Sequence, residues 1–344
     1  MSFHLITYSY ITMTSSSPRP KRIIIDTDPG IDDAMAILFA FLSPDEVDVV
    51  GLTTVFGNSQ TEQATENALR IVELLNRTDV PVAKGAEGPL LRPFDYFAWR
   101  VHGRNGLGDI DFETPSPAAA PDPRRAAQFI VETIMTNPPD DITLVTLGPL
   151  TNVALAVALE PRITRRVRRV VVMGGAAHGR GNASATAEAN IRNDPEAAQM
   201  VFNAPWKNKV VMVGLDVTTQ TIMTPAYLQS LTSSSSKNKY TDFIGRIIPY
   251  YLKFHREHHN QMEGFFVHDS SAMAYAMDPT LFETQRVYVH VETASPITAG
   301  QTVVDFRPQP DASQEPNADV CIAVDSERLL QLYHDRLTAA PAMK

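Results

Sequence analysis

Four carboxylates crowd one short stretch, Asp26-Thr-Asp28-Pro-Gly-Ile-Asp32-Asp33-Ala. Like charges held a few ångströms apart repel and resist joint ionisation. A helix N-terminus offsets part of that repulsion. A hard divalent cation offsets far more, and all-oxygen ligation is what Ca²⁺ and Mg²⁺ prefer. Capping a helix takes one carboxylate, so this spacing points to a metal centre and not to a cap alone.

Other polar groups could complete such a centre. Thr53-Thr-Val-Phe-Gly57-Asn58 closes an apolar run with Gly-Asn, which on spacing alone is a turn. Leu147-Gly-Pro-Leu-Thr-Asn152 frees a backbone carbonyl at its Gly-Pro turn, an oxygen that calcium accepts, and is equally compatible with a helix start. The Gly- and Ala-rich segment from Met173 to Ala198 carries Asn182, Glu188 and Asn190, short polar groups suited to hydroxyl recognition. Phe265-Phe-Val-His268-Asp269 leads an apolar run into a His-Asp pair, an arrangement more often structural than catalytic. His102 stands in an irregular stretch, where an ordinary loop histidine is the simplest reading. His255-Arg-Glu-His258-His259 lacks the His-Glu-x-x-His spacing of a zinc protease and reads as a polar helix face. Tyr250 and Tyr251, on the same helix, could stack on a base or simply pack.

Elements must bring these groups together. Ile23-Ile-Ile25 reads as a buried strand, broken by Pro29-Gly30, with Asp32 and Asp33 in the cap and first turn of a helix. Strand patterns at 47–55, 80–82, 142–146, 167–173 and 210–215 alternate with helical ones at 62–76, 125–135, 150–158 and from Pro195. Such alternation implies parallel βαβ units. The chain is therefore expected to be a single-domain α/β fold: a mostly parallel twisted sheet flanked by helices, Rossmann-like and open, with ligands at the C-terminal edge of its strands. Helices at 240–260, 268–277 and 327–337 and strands at 287–291 and 320–324 complete the pattern. The expected boundaries are a flexible N-terminal extension at 1–21, the domain at 22–338 and a tail at 339–344, with a polar linker at 233–239 and a long irregular loop at 88–123.

The aspartate stretch resembles the signature of the calcium-dependent nucleoside hydrolases of the inosine-uridine preferring type. The resemblance extends to the Gly-Asn turn, the His102-Gly loop, the Asn182–Asn190 segment and His268-Asp269. It implies hydrolysis of the N-glycosidic bond of ribonucleosides to ribose and free base, with a Ca²⁺-bound water that Asp28 deprotonates. Asp28, Asp33, Asp269 and the main-chain carbonyl of Leu147 would ligate the ion, with Asn58 beside the water and Asp26 in support. Asp32, Met173, Asn182, Glu188 and Asn190 would hold the sugar. His268, whose ordinary pKa lies near neutrality, would serve the leaving base together with His102. The family usually has Phe between the Glu and the Asn, where this chain has Ala189, which enlarges that part of the pocket. Homodimers or homotetramers are common in the family.

Composition narrows the classes. Thirty basic against 39 acidic side chains give a net charge of −9, which argues against a nucleic-acid partner. No apolar run is long enough for a membrane span, and the N-terminus lacks the early basic region of a signal peptide. The one cysteine, Cys321, cannot form an internal disulfide, which fits a reducing, cytoplasmic setting. Two rivals stand beside the hydrolase reading. Asp26-Thr-Asp28 after a buried strand partly resembles a haloacid-dehalogenase phosphatase, although Gly30 and the Asp32-Asp33 pair do not fit it. A catalytically silent nucleoside-binding protein is the other.

Overall fold

Three isoleucines set the centre of the sheet. Ile23, Ile24 and Ile25 are fully buried, and their alternation sends Ile23 and Ile25 into one hydrophobic cluster and Ile24 into the other. Removing each from water contributes roughly 1.5–3 kcal/mol. They belong to β1 (Lys21–Thr27), followed along the chain by β2 (Val47–Thr54), β3 (Val82–Lys84), β4 (Ile142–Thr146), β5 (Arg169–Met173) and β6 (Val210–Val213). Next come β7 (Ile222–Met223), β8 (Phe265–Phe266), β9 (Phe282–Val287), β10 (Val289–Val291), β11 (Thr302–Val304) and β12 (Ala318–Val324). This computed structural model describes residues 19–94, 97–113, 116–233, 237–259, 261–309 and 313–339.

The main sheet has eight strands in the order β3-β2-β1-β4-β5-β6-β12-β9. Its neighbours pair in parallel, except that β9 runs antiparallel to β12 at one edge. The α/β class, the single domain and the Rossmann-like order are as the sequence implies. The order reverses between β1 and β4, the switch point at which an open α/β sheet leaves a crevice beyond its strand ends. Helix Ile31–Phe41 follows β1 at once, and its apolar residues from Ala34 to Ala40 are buried in one of the two clusters.

Several boundaries differ from the sequence expectation. The strand expected at 287–291 is two: β9 ends at Val287 and β10 starts at Val289 in a separate hairpin with β11. The 80–82 strand moves on to β3, because Pro81 carries no N–H for the ladder. The irregular stretch at 88–123 contains a helical turn, Trp99–His102. Helix Pro225–Thr232 had no counterpart in the sequence reading. Within the expected linker, Lys239 already opens a helix capped by the buried Asn238, and 234–236 lie outside the described residues. Residues 1–18 of the expected extension, 340–344 of the expected tail and Asn260 also lie outside them. No described helix is long and apolar enough to cross a membrane.

Candidate active site

Asp26 and Asp28 project from the end of β1 at the switch point. Thr53 Oγ1 (2.5 Å) and Asn152 Nδ2 (2.8 Å) both donate to Asp26 Oδ1. Burial nevertheless pushes the Asp26 carboxyl up to about 7, against the pull of these two donors. The same Asn152 amide binds the Thr54 carbonyl, so Asp26 ties β1, β2 and the start of helix Thr151–Leu159 together.

Asp33 organises the turn. Its Oδ1 accepts from Thr27 Oγ1 (2.5 Å) and Asp28 N (3.3 Å), and its Oδ2 from Gly30 N (3.0 Å) and Asn58 Nδ2 (2.9 Å). Asn58 also gives its backbone N–H to Asp28 Oδ2 at 2.6 Å, so one residue fixes two carboxylates. Tyr251 donates its hydroxyl to Asp32 Oδ2 at 3.0 Å. Asp269, buried at the first position of helix Asp269–Met277, arrives from a distant part of the chain.

Oxygens of Asp32, Asp33 and Asp269 all lie within 4.8 Å of one another, a group that could hold a metal ion. Among the described residues, Asp28 Oδ1 and Asp32 Oδ1 are buried with no hydrogen-bond partner. Burial, then repulsion among the carboxylates, raises Asp28 and Asp269 well above the usual range and also raises Asp33. Burial raises Asp32 to about 6. Orphaned carboxylate oxygens in an all-oxygen set fit a hard cation. The sequence expectation put Asp28 among the ligands and Asp32 on the sugar, whereas the close group takes in Asp32 and does not include Asp28.

Glycines make the packing possible. A Cβ on Gly57 would lie 2.0 Å from Asp28 Oδ2, and one on Gly148 would lie 2.6 Å from Asp28 Oδ1. A Cβ on Gly30 would lie 2.7 Å from His102 Nδ1.

The sugar-side residues gather at the ends of β4 and β5. Asn190 Nδ2 donates to the Leu147 carbonyl (2.7 Å) and the Met173 carbonyl (3.2 Å), which brings three expected site residues together. Glu188 caps helix Ala189–Asn193, accepting from Asn190 N and Ile191 N, and also accepts from Gly175 N at 3.1 Å. Burial pushes its carboxyl up to about 7. Asn182 is not brought into this cluster by direct contact: it is exposed, and its Oδ1 accepts from Ala189 N at 2.9 Å.

The histidines line the other side. Ile31 N–H donates to His102 Nδ1 at 3.1 Å, so that nitrogen is an acceptor and the neutral ring carries its hydrogen on Nε2. Burial pushes His102 down to about 4. Its approach to Asp32 at 3.7 Å is therefore no ion pair. The near-neutral pKa expected of His268 is corrected: burial, then the neighbouring His255, His259 and His102 imidazoles, lower it to about 3. The polar-face reading of His255 is also corrected. His255 is buried one turn beyond Tyr251, with ring centroids 4.4 Å apart, while Tyr251 stacks on His102 at 5.5 Å. His258 remains exposed. Tyr250 donates to the Trp99 carbonyl at 3.0 Å. Sequence reasoning passed over the contacts of Tyr251 with Asp32 and of Asn67, whose amide holds both the Pro29 and Asn105 carbonyls.

Comparison with known proteins decides the identity of this site. The profile of the inosine-uridine preferring nucleoside hydrolases matches residues 23–331. The chain belongs to this family. It is an enzyme that hydrolyses the N-glycosidic bond of ribonucleosides. It is 42% identical over 319 residues to an inosine-uridine preferring nucleoside hydrolase of Leishmania major, covering 92% of this chain and 98% of that one. It is 41% identical to a probable uridine nucleosidase of Arabidopsis thaliana, covering 92% and 97% of the two chains. A solved plant nucleoside hydrolase superposes with a TM-score of 0.85 at 35% identity, covering 94% of this chain and 100% of the other. The phosphatase reading finds no support in these matches.

Proposed function

We propose that this nucleoside hydrolase acts on uridine and inosine, releasing ribose and the free base at a calcium-dependent site. The observation that carries the reading is the convergence of Asp32, Asp33 and Asp269 at the switch point, beside unpartnered oxygens of Asp28 and Asp32. Asp28, Asp33, Asp269 and the Leu147 carbonyl would hold calcium, with Asp32 turned to the sugar. When bound, calcium supplies a positive field that orients the sugar diol and acidifies a water.

The remaining work falls to side chains. Asp28 takes the proton of the attacking water. Asn58 holds one of its carboxylate oxygens in place through its backbone N–H. Asp32, Glu188 and Asn190 grip the sugar hydroxyls, with Asn182 reaching in from its loop and Met173 packing beneath. Fixing the ring this way favours the flattened, oxocarbenium-like state through which the C–N bond breaks. His268, with His102, serves the departing base. The enzyme works in the cytoplasm as a homodimer or homotetramer, and its domain spans 22–338.

A panel of purine and pyrimidine ribosides, assayed for reducing sugar and free base, tests the reading. Turnover of uridine and inosine is expected. Saturable binding of both without release of base would show instead a silent nucleoside-binding protein.

A further inference from the structure

Thr218 ends a short helix, Leu215–Thr218, that follows β6, and its side chain is fully buried. Its Oγ1 lies 2.8 Å from His268 Nδ1, and among the described residues this ring nitrogen is the hydroxyl's only hydrogen-bond partner. A hydroxyl has one hydrogen to give and can rotate to give it. If His268 carried its proton on Nδ1, the buried Thr218 hydrogen would face no acceptor, which is costly. If Nδ1 is bare, the hydroxyl donates to it and both atoms are satisfied. The imidazole hydrogen then sits on Nε2, the nitrogen that Thr218 leaves free. His102 reaches the same tautomer by a different route, through the Ile31 N–H. Phe266 lies beside the His268 ring, with centroids 6.0 Å apart.

We infer that Thr218 is a positioning residue: it fixes His268 as the Nε2–H tautomer, so that a neutral imidazole presents a hydrogen-bond donor to the departing nucleobase. The inference rests on the reading that His268 serves that base. The contribution is hydrogen bonding alone, and no covalent bond forms or breaks at either residue.

Three variants and two leaving groups test it. Thr218→Val keeps the shape and removes the donor, Thr218→Ser restores the donor, and His268→Ala removes the ring. Uridine needs its leaving base stabilised, whereas 4-nitrophenyl β-D-ribofuranoside releases a phenolate that is stable unaided. Thr218→Val is expected to lose about tenfold or more in kcat on uridine with little change in KM, and to keep its nitrophenyl riboside rate. Thr218→Ser should recover the uridine rate. If His268→Ala does not separate the two substrates, the role of His268 falls and this inference with it. If His268→Ala separates them and Thr218→Val does not, this inference alone falls. Nitrogen-15 spectra of histidine-labelled protein give a readout independent of rate. A bare Nδ1 at His268 is expected in the parent enzyme, and a protonated Nδ1 there would overturn the assignment.

Discussion

Tyr251 gives its hydroxyl hydrogen to Asp32 at 3.0 Å, across 219 positions of sequence. One side chain thus couples helix Lys239–His258 to the carboxylate turn, while its ring packs on His102 and His255. Tyr251→Phe keeps the packing and deletes the hydrogen bond. Partners that orient a site carboxylate typically account for about 10–100-fold in affinity or activity. Steady-state kinetics of Tyr251→Phe on uridine should therefore show KM raised by about tenfold or more, with thermal stability close to the parent. An unchanged KM would mean that the contact only packs.

Asp28 is assigned the water's proton. Asp28→Ala should lower uridine turnover by about a thousandfold or more, since a positioned base is generally worth 10²–10⁴. Far-ultraviolet circular dichroism should show the fold retained. The substitution removes a buried oxygen that has no partner among the described residues but also strands the Asn58 N–H that Asp28 Oδ2 accepts, so the calcium-free melting temperature should change little. Full turnover in the variant would remove Asp28 from its role.

Gly57 offers a steric test of the same carboxylate. Gly57→Ala places a methyl 2.0 Å from Asp28 Oδ2, so the carboxylate or the turn has to move. Displacing a reacting group by about 1 Å costs on the order of 100-fold in rate. Gly88→Ala is the control, because a Cβ there meets nothing within 4 Å. Steady-state rates of the two variants on uridine should differ by that factor.

Much of this architecture was legible in the sequence because the informative residues are near neighbours. The aspartates from Asp26 to Asp33 sit in one turn, so spacing alone exposes them, whereas Glu188 and Asn190 are tied to the sugar by the family resemblance. The alternation of Ile23–Ile25 with helical patterns gave the parallel sheet. What stayed hidden depends on pairs far apart. No local pattern shows that Tyr251 reaches Asp32, that Asn67 bridges Pro29 to Asn105, or that Thr218 meets His268. The burial of His255 was missed because three nearby polar residues, Arg256, Glu257 and His258, disguise the one buried position of that turn. β7 and β8, with two residues each, carry no periodicity to read.

Acidity should act on the site with a definite sign. Burial holds Asp32 near 6 and Asp26 and Glu188 near 7, all above their unfolded values. Such groups stabilise the calcium-free fold fully below about pH 4, the ordinary carboxylate range, and this contribution is lost as pH rises through 6 to 7. Calcium binding needs the deprotonated forms, so its stabilisation runs the opposite way. Melting curves with chelator and with calcium, taken from pH 5 to pH 8, should diverge as pH rises. A constant gap between them would contradict the coupling.

The central claim is that the carboxylates gathered from the β1 turn and the Asp269 helix hold one divalent cation without which the bond is not cleaved. The direct measurement is uridine hydrolysis by metal-stripped enzyme titrated with calcium. Activity should start near zero and reach a plateau as one ion per chain is bound. Full activity in the stripped enzyme, unaltered by added calcium, would contradict the account.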